Sequence, residues 1–127
     1  MSQTKILIID DDIRMESVMK RFLFEKKYTL TFANDGEQGI EKAKNLLPDI
    51  ILCDIVMPTM DGFQVLQHLK RNPPIKPPVF IFLSAKSTTD DFLLGIAKGA
   101  DGYLAKPISR NDLVETIESH TFQQSFK

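Results

Sequence analysis

Short apolar runs and helix-length amphipathic stretches alternate five times along this chain, and that alternation limits the possible folds more than any other feature. The runs Ile6 to Ile9, Tyr28 to Ala33, Ile50 to Cys53, Val79 to Leu83 and Gly102 to Ala105 are too short for typical helices and read as strands. Between them lie Arg14 to Lys26, with Met15, Val18, Met19, Phe22 and Leu23 on one face, then Glu37 to Leu46, Gly62 to Lys70, Asp90 to Lys98, and Asn111 to about Phe122. Thr88 with Asp91, and Ser109 with Asp112, have the spacing of a helix N-cap and its reciprocal acid, and Gly99 sits where a helix would end in a left-handed residue. Pro48 closes the second helix, and Pro73, Pro74, Pro77 and Pro78 forbid a helix before the fourth strand. Repeated β-α alternation implies a doubly wound α/β fold: a parallel sheet, right-handed crossovers and helices on both faces. Continuous rather than alternating apolar runs at Ile6 to Ile9 and Val79 to Leu83 fit strands covered on both sides.

The 127 residues fit one domain, and with 43% apolar and 26% charged residues a packed core is available. Acids number 17 against 16 bases, so the formal charge of -1 gives no electrostatic reason to expect nucleic acid or an anionic membrane as partner. Cys53 is alone and cannot form an internal disulfide; no stretch approaches the ~20 apolar residues of a membrane span, and no signal peptide is recognisable, so a cytoplasmic location is expected.

In such sheets the working crevice lies beyond the carboxyl ends of the strands. The first strand ends in Asp10, Asp11 and Asp12, and the third ends in Cys53 and Asp54. A single acid at a strand end is ordinarily a solvated charge. Two acidic strand ends that converge would repel unless a cation neutralised them, and an all-oxygen site favours Mg2+ or Mn2+. The same aspartates replace the glycines that a dinucleotide-binding turn requires, no P-loop is present, and His68 and His120 lie on separate helices as expected surface residues. The fourth strand runs into Ser84 and the small Ala85, and the fifth ends in Tyr103, Leu104, Ala105, Lys106 and Pro107. A hydroxyl, an ammonium, a carboxylate and a hard cation are together what phosphoryl transfer requires.

Four motifs in order carry a family resemblance: Ile6-Leu7-Ile8-Ile9-Asp10-Asp11, Asp54-Ile55-Val56-Met57-Pro58 through Met60-Asp61-Gly62, Ser84-Ala85, and Gly99 through Pro107. Over nearly its full length the chain resembles the CheY-like response-regulator receiver domains of two-component signalling. The resemblance implies a five-stranded parallel sheet in the order 2-1-3-4-5, and a single receiver domain over residues 1–127 with no output domain. It implies Asp54 as phosphoacceptor, Asp11, Asp54 and the backbone carbonyl of Val56 as Mg2+ ligands, and Asp10 acting through water or behind the ligands. Lys106 and Ser84 would hold the phosphoryl oxygens. Ser84 and Tyr103 would be the switch that remodels the face of the fourth helix, fifth strand and fifth helix, and Pro107 would follow a cis peptide.

The implied partners are a sensor histidine kinase or histidine phosphotransfer protein as donor and a downstream protein as target, with no direct nucleic acid and no membrane insertion. The chain would be a monomer or a phosphorylation-dependent dimer, modifying itself rather than turning over a separate substrate. Val56 and Lys86, two residues after Asp54 and Ser84, stand where family members often carry side chains able to orient water, so slow loss of the phosphoryl group is expected. The alternative is a pseudo-receiver that binds partners without phosphorylation; retention of Asp10, Asp11, Asp54, Ser84 and Lys106 argues against it. A haloacid-dehalogenase-like phosphatase would want a second acid where Val56 stands.

Overall fold

The computed structural model describes residues 3–85 and 89–124, with 89–92 and 122–124 described by backbone alone. Strands and helices alternate as β1 Thr4–Ile9, α1 Arg14–Leu23, β2 Tyr28–Ala33, α2 Gly36–Leu46, β3 Ile50–Asp54, α3 Gly62–Arg71, β4 Val79–Ser84, α4 Thr89–Ala97, β5 Gly102–Ala105 and α5 Arg110–Gln124. All strand pairs are parallel, in the order β2-β1-β3-β4-β5.

The continuous apolar runs follow from this layering, because successive strand residues point to opposite faces and both faces are covered. Leu7, Ile9, Ile51, Cys53, Phe80 and Phe82 pack with Ile40 and Ala43 of α2 and with Val65, Leu66 and Leu69 of α3. The alternate residues Ile6, Ile8, Ile50, Leu52, Ile81 and Leu83 pack with Met19 and Leu23 of α1 and with Leu113 and Ile117 of α5. Every strand end that carries chemistry is thereby fixed to a two-sided core.

Local chemistry sets the helix boundaries. Asp61 caps α3, its carboxylate accepting from the Gln64 N–H while the Gln64 side chain accepts from the Asp61 N–H. Asp35 caps α2 in the same sense, accepting from the Gln38 N–H at 2.8 Å. Ser109 Oγ accepts from the Asp112 N–H at 3.1 Å, as the spacing predicts, and Gly99 has φ of +102°. Thr88 and Lys86 lie outside the described residues. The first helix is shorter than the sequence suggests: it ends at Leu23, and a turn closed by the Lys26 N–H on the Leu23 carbonyl follows. Phe24 falls on the opposite side of the helix from the Met15, Met19 and Leu23 stripe and is 76% exposed. His68 and His120 are half-buried rather than on the open surface: His68 Nε2 lies 3.2 Å from Lys44 Nζ, and His120 Nδ1 lies 2.8 Å from the Thr116 carbonyl.

Candidate functional site at the carboxyl edge of the sheet

The register places the predicted residues together. Ile9 pairs with Cys53, so β1 and β3 end side by side, and Asp10 and Asp54 follow directly. Ser84 pairs with Ala105, and the Lys106 N–H donates to the Ser84 carbonyl at 2.7 Å, which fixes Lys106 over the same edge. The Lys106–Pro107 bond is cis, as expected. Asp10 and Asp54 are buried, at 5% and 6% exposure, while Asp11 is open to solvent.

Carboxylate oxygens of Asp10, Asp11 and Asp54 lie within 4.8 Å of one another. Lys106 Nζ donates to Asp10 Oδ2 at 2.8 Å and stands 3.4 Å from Asp54 Oδ2. The ammonium is therefore shared, and it sits closer to Asp10 than to Asp54, a preference that sequence cannot express. The Asp12 N–H donates to Asp10 Oδ1 at 2.9 Å, so both Asp10 oxygens are engaged from within the protein. Asp12 turns outward to a two-point pair with Arg14, which holds its carboxyl down at about 2.

Burial, and then the charge of Asp10, push the Asp54 carboxyl up to about 6; Lys106 and the backbone N–H of Val56 act in the opposite direction. Burial alone would lower the Lys106 ammonium, but hydrogen bonding and attraction to Asp10, then Asp54, leave it raised. The neighbouring Cys53 thiol is pushed well above its ordinary value, first by burial and then by Asp54 and Asp10, so it stays protonated and inert. Hard oxygen donors at this spacing, with one carboxyl destabilised as an anion, suit a divalent cation such as Mg2+.

Ser84 is 1% exposed, two positions beyond Phe82 on β4. Tyr103, paired with Phe82, is half-buried; its ring packs with Met60 and Phe63 against the core under α2 and α3, and its hydroxyl is buried. Val56, by contrast, is 62% exposed beside the strand end that carries Asp54.

Two features here escape a reading of sequence. Gly62 opens α3 directly against the β3 backbone, donating its N–H to the Ile55 carbonyl at 2.8 Å. Thr59 has φ of +70° at the centre of a γ-turn closed by the Met60 N–H on the Pro58 carbonyl at 2.7 Å. A β-branched residue is unfavourable there by about 1 kcal/mol, and asparagine tolerates positive φ without glycine's entropy in the unfolded chain. Thr59→Asn is thus expected to stabilise the protein by roughly 0.5–1 kcal/mol, read by urea unfolding; no gain would mean that the turn is not strained at Thr59.

The chain is similar to known proteins in sequence and in fold. The chain is 38% identical over 119 residues to the response regulator GtcR of Aneurinibacillus migulanus, covering 94% of this chain and 48% of that one. It is 33% identical over 115 residues to the alkaline phosphatase synthesis transcriptional regulatory protein PhoP of Bacillus subtilis, covering 91% of this chain and 47% of that one. It spans about half the length of these curated relatives. Among solved structures, the receiver domain of Francisella response regulator 1452 superposes with a TM-score of 0.87 at 29% identity, covering 96% of this chain and 99% of that one. The chemotaxis protein CheY4 of Vibrio cholerae gives 0.85 at 27%, covering 93% and 98%. The sequence profile of the response regulator receiver domain matches residues 6–118, from β1 into α5, and on that match the chain belongs to the response regulator receiver domain family of two-component signalling.

Proposed function

We propose that this receiver domain is a phosphorylation switch that takes a phosphoryl group onto Asp54 from a phosphohistidine of a sensor histidine kinase or a histidine phosphotransfer protein. The observation that carries the proposal is the convergence of Asp10, Asp11 and Asp54 at one edge of the sheet, two of them buried, with Lys106 shared between Asp10 and Asp54. A carboxylate oxygen of Asp54 attacks phosphorus, the oxygen–phosphorus bond forms as the bond to the imidazole nitrogen breaks, and the leaving nitrogen takes a proton. Asp10, Asp11, Asp54 and the carbonyl of Val56 are the groups that would hold Mg2+, which when bound supplies positive charge for the phosphoryl oxygens. Lys106 supplies a second positive charge as a mobile ammonium. The Ser84 hydroxyl donates to a phosphoryl oxygen, and its movement couples to Tyr103 and the face made by α4, β5 and α5. The reaction is on the protein itself, with no separate substrate consumed, and the product is read by a downstream protein in the cytoplasm.

Acetyl phosphate with Mg2+ tests this directly. Intact mass should rise by one phosphoryl group, and the gain should disappear in Asp54→Asn or with a chelator. An unmodified wild-type mass would overturn the switch reading.

Val56 sets the lifetime of the acyl phosphate. Its exposed, apolar side chain cannot orient an attacking water. Val56→Asn is expected to speed hydrolysis of phospho-Asp54 by roughly tenfold, within the ordinary reach of one positioned group. An unchanged decay rate would remove Val56 from that role.

A further inference from the structure

The four prolines between α3 and β4 do more than keep that segment from being helical. Together with Leu66 and Leu69 of α3 and Phe80 of β4 they line a groove of about 170 Å3 at the amino edge of the sheet, the end opposite Asp54. Leu66, Leu69 and Phe80 belong to the core under α2 and α3, so the groove has a core floor and proline walls. Among the described residues that line it, Lys70 alone carries a charge, and Lys70 is exposed. Its stem reaches toward Gly99 at the end of α4, where an added Cβ would stand 3.0 Å from Lys70 Cε. Neither Lys70 nor the adjacent Arg71 forms an ion pair among the described residues, while the acids nearby are engaged elsewhere. Asp101 accepts from the Phe80 N–H at 2.8 Å, and Asp49 pairs with Lys76 at 2.5 Å.

We propose that this groove is a binding site for a small aromatic carboxylate, its one ring seated on Leu66, Leu69 and Phe80 between the prolines and its carboxylate at Lys70. Size selects a single ring. An apolar cavity of about 150 Å3 accepts benzene, whereas sites for larger ligands begin at about 300 Å3. The walls select an aromatic ring, because proline presents C–H groups and no N–H, and proline surfaces pack on aromatic faces. The Lys70 ammonium at the rim adds attraction for the ring face. Charge selects the anion, since a carboxylate gains a partner at Lys70 and an ammonium would meet a like charge there. The inference does not rest on phosphorylation: Phe80 and Ser84 lie toward opposite ends of β4.

The test titrates the full chain, labelled with 13C at leucine methyl groups, with phenylacetate, phenylacetamide and cyclohexylacetate. Phenylacetate should move the Leu66 and Leu69 methyl signals to saturation. Phenylacetamide, without the charge, and cyclohexylacetate, without the aromatic face, should each bind at least about threefold more weakly, within the reach of one exposed ion pair or one cation–π contact. Lys70→Gln should reduce phenylacetate to the affinity of phenylacetamide, and Pro74→Ala with Pro77→Ala should weaken phenylacetate by roughly threefold, with circular dichroism verifying that each variant is folded. Where the proline variant fails to fold, Lys70→Gln and the three wild-type titrations decide. Methyl signals of Leu66 and Leu69 that do not saturate overturn the proposal, as does equal binding of phenylacetate and phenylacetamide, equal binding of phenylacetate and cyclohexylacetate, or a Lys70→Gln protein that binds phenylacetate as the wild type does.

Discussion

Lys106→Met is expected to destabilise the metal-free protein by about 2 kcal/mol at pH 7.5, and by distinctly less at pH 5. Removing one member of a buried ion pair ordinarily costs about 3–5 kcal/mol, because the remaining charge is left without compensation. A smaller figure applies here, since the Lys106 side chain is 20% exposed and water partly screens what is left. The pH dependence follows from Asp54. Its carboxyl stands at about 6 in the folded protein against an ordinary 3.8, so the folded state binds more protons than the unfolded state between those values. Stability is therefore highest below that window and falls as pH rises through it. Lys106 is one of the groups holding Asp54 down. Without it the folded value rises further, and stability goes on falling at pH values where the wild type has levelled off. Asp54→Asn has the opposite sign: it removes the buried anion and should stabilise the metal-free protein above pH 6. The double variant should be far from additive, because both substitutions act on one charge cluster. Urea unfolding at the two pH values, in chelator and then in Mg2+, measures all of this. A deficit in Lys106→Met that is the same at pH 5 and pH 7.5 would detach the lysine from the titration of Asp54.

The residues of that cluster were legible because their chemistry sits at strand ends, and strand ends were legible from apolar runs. The bounds of β2 and β5 match the runs Tyr28 to Ala33 and Gly102 to Ala105 residue for residue. The first helix overshoots because residues 24–26 hold no glycine or proline to mark its end; periodicity records which residues could pack, and only the tertiary structure shows where the helix stops. The histidines are half-buried because of neighbours the sequence does not show: Lys44 of α2 beside His68, and Gly102 of β5 beside His120. Within the site, sequence named Asp10, Asp11, Asp54, Ser84 and Lys106 but not how the ammonium divides between two acids, which depends on a difference between 2.8 and 3.4 Å. Thr59 carries no composition signal for positive φ, unlike Gly99, whose left-handed conformation the sequence does suggest.

Gly62 shows how close the backbone must come for the site to form, and Gly62→Ala is expected to be the most damaging small substitution in the chain. In an exposed first helical turn, alanine in place of glycine normally gains up to about 1 kcal/mol. Here an added Cβ would stand 2.4 Å from the Asp54 carbonyl oxygen and 2.9 Å from Ile55 Cα. Both are backbone atoms of the segment that bears Asp54, and no rotamer change relieves the overlap. Either α3 shifts, straining the capping box of Asp61 and Gln64, or the end of β3 moves and takes Asp54 with it. The expected loss is about 2–4 kcal/mol in urea unfolding, at the upper end of overpacking effects. Because Asp54 would move relative to Lys106 and Asp10, the rate of labelling by acetyl phosphate should fall at least tenfold even where the variant is fully folded, as misplacement of a nucleophile by a fraction of an ångström predicts. Gly95→Ala is the fitting comparison. Its Cβ would meet only the edge of the Phe82 ring, at 3.1 Å, which a small ring movement accommodates. If the two substitutions cost the same, the backbone contact at Gly62 is not what holds Asp54; if Gly62→Ala is unstable yet is labelled by acetyl phosphate at the wild-type rate, the contact holds α3 to the sheet and leaves the position of Asp54 to the ladder of β1, β3 and β4.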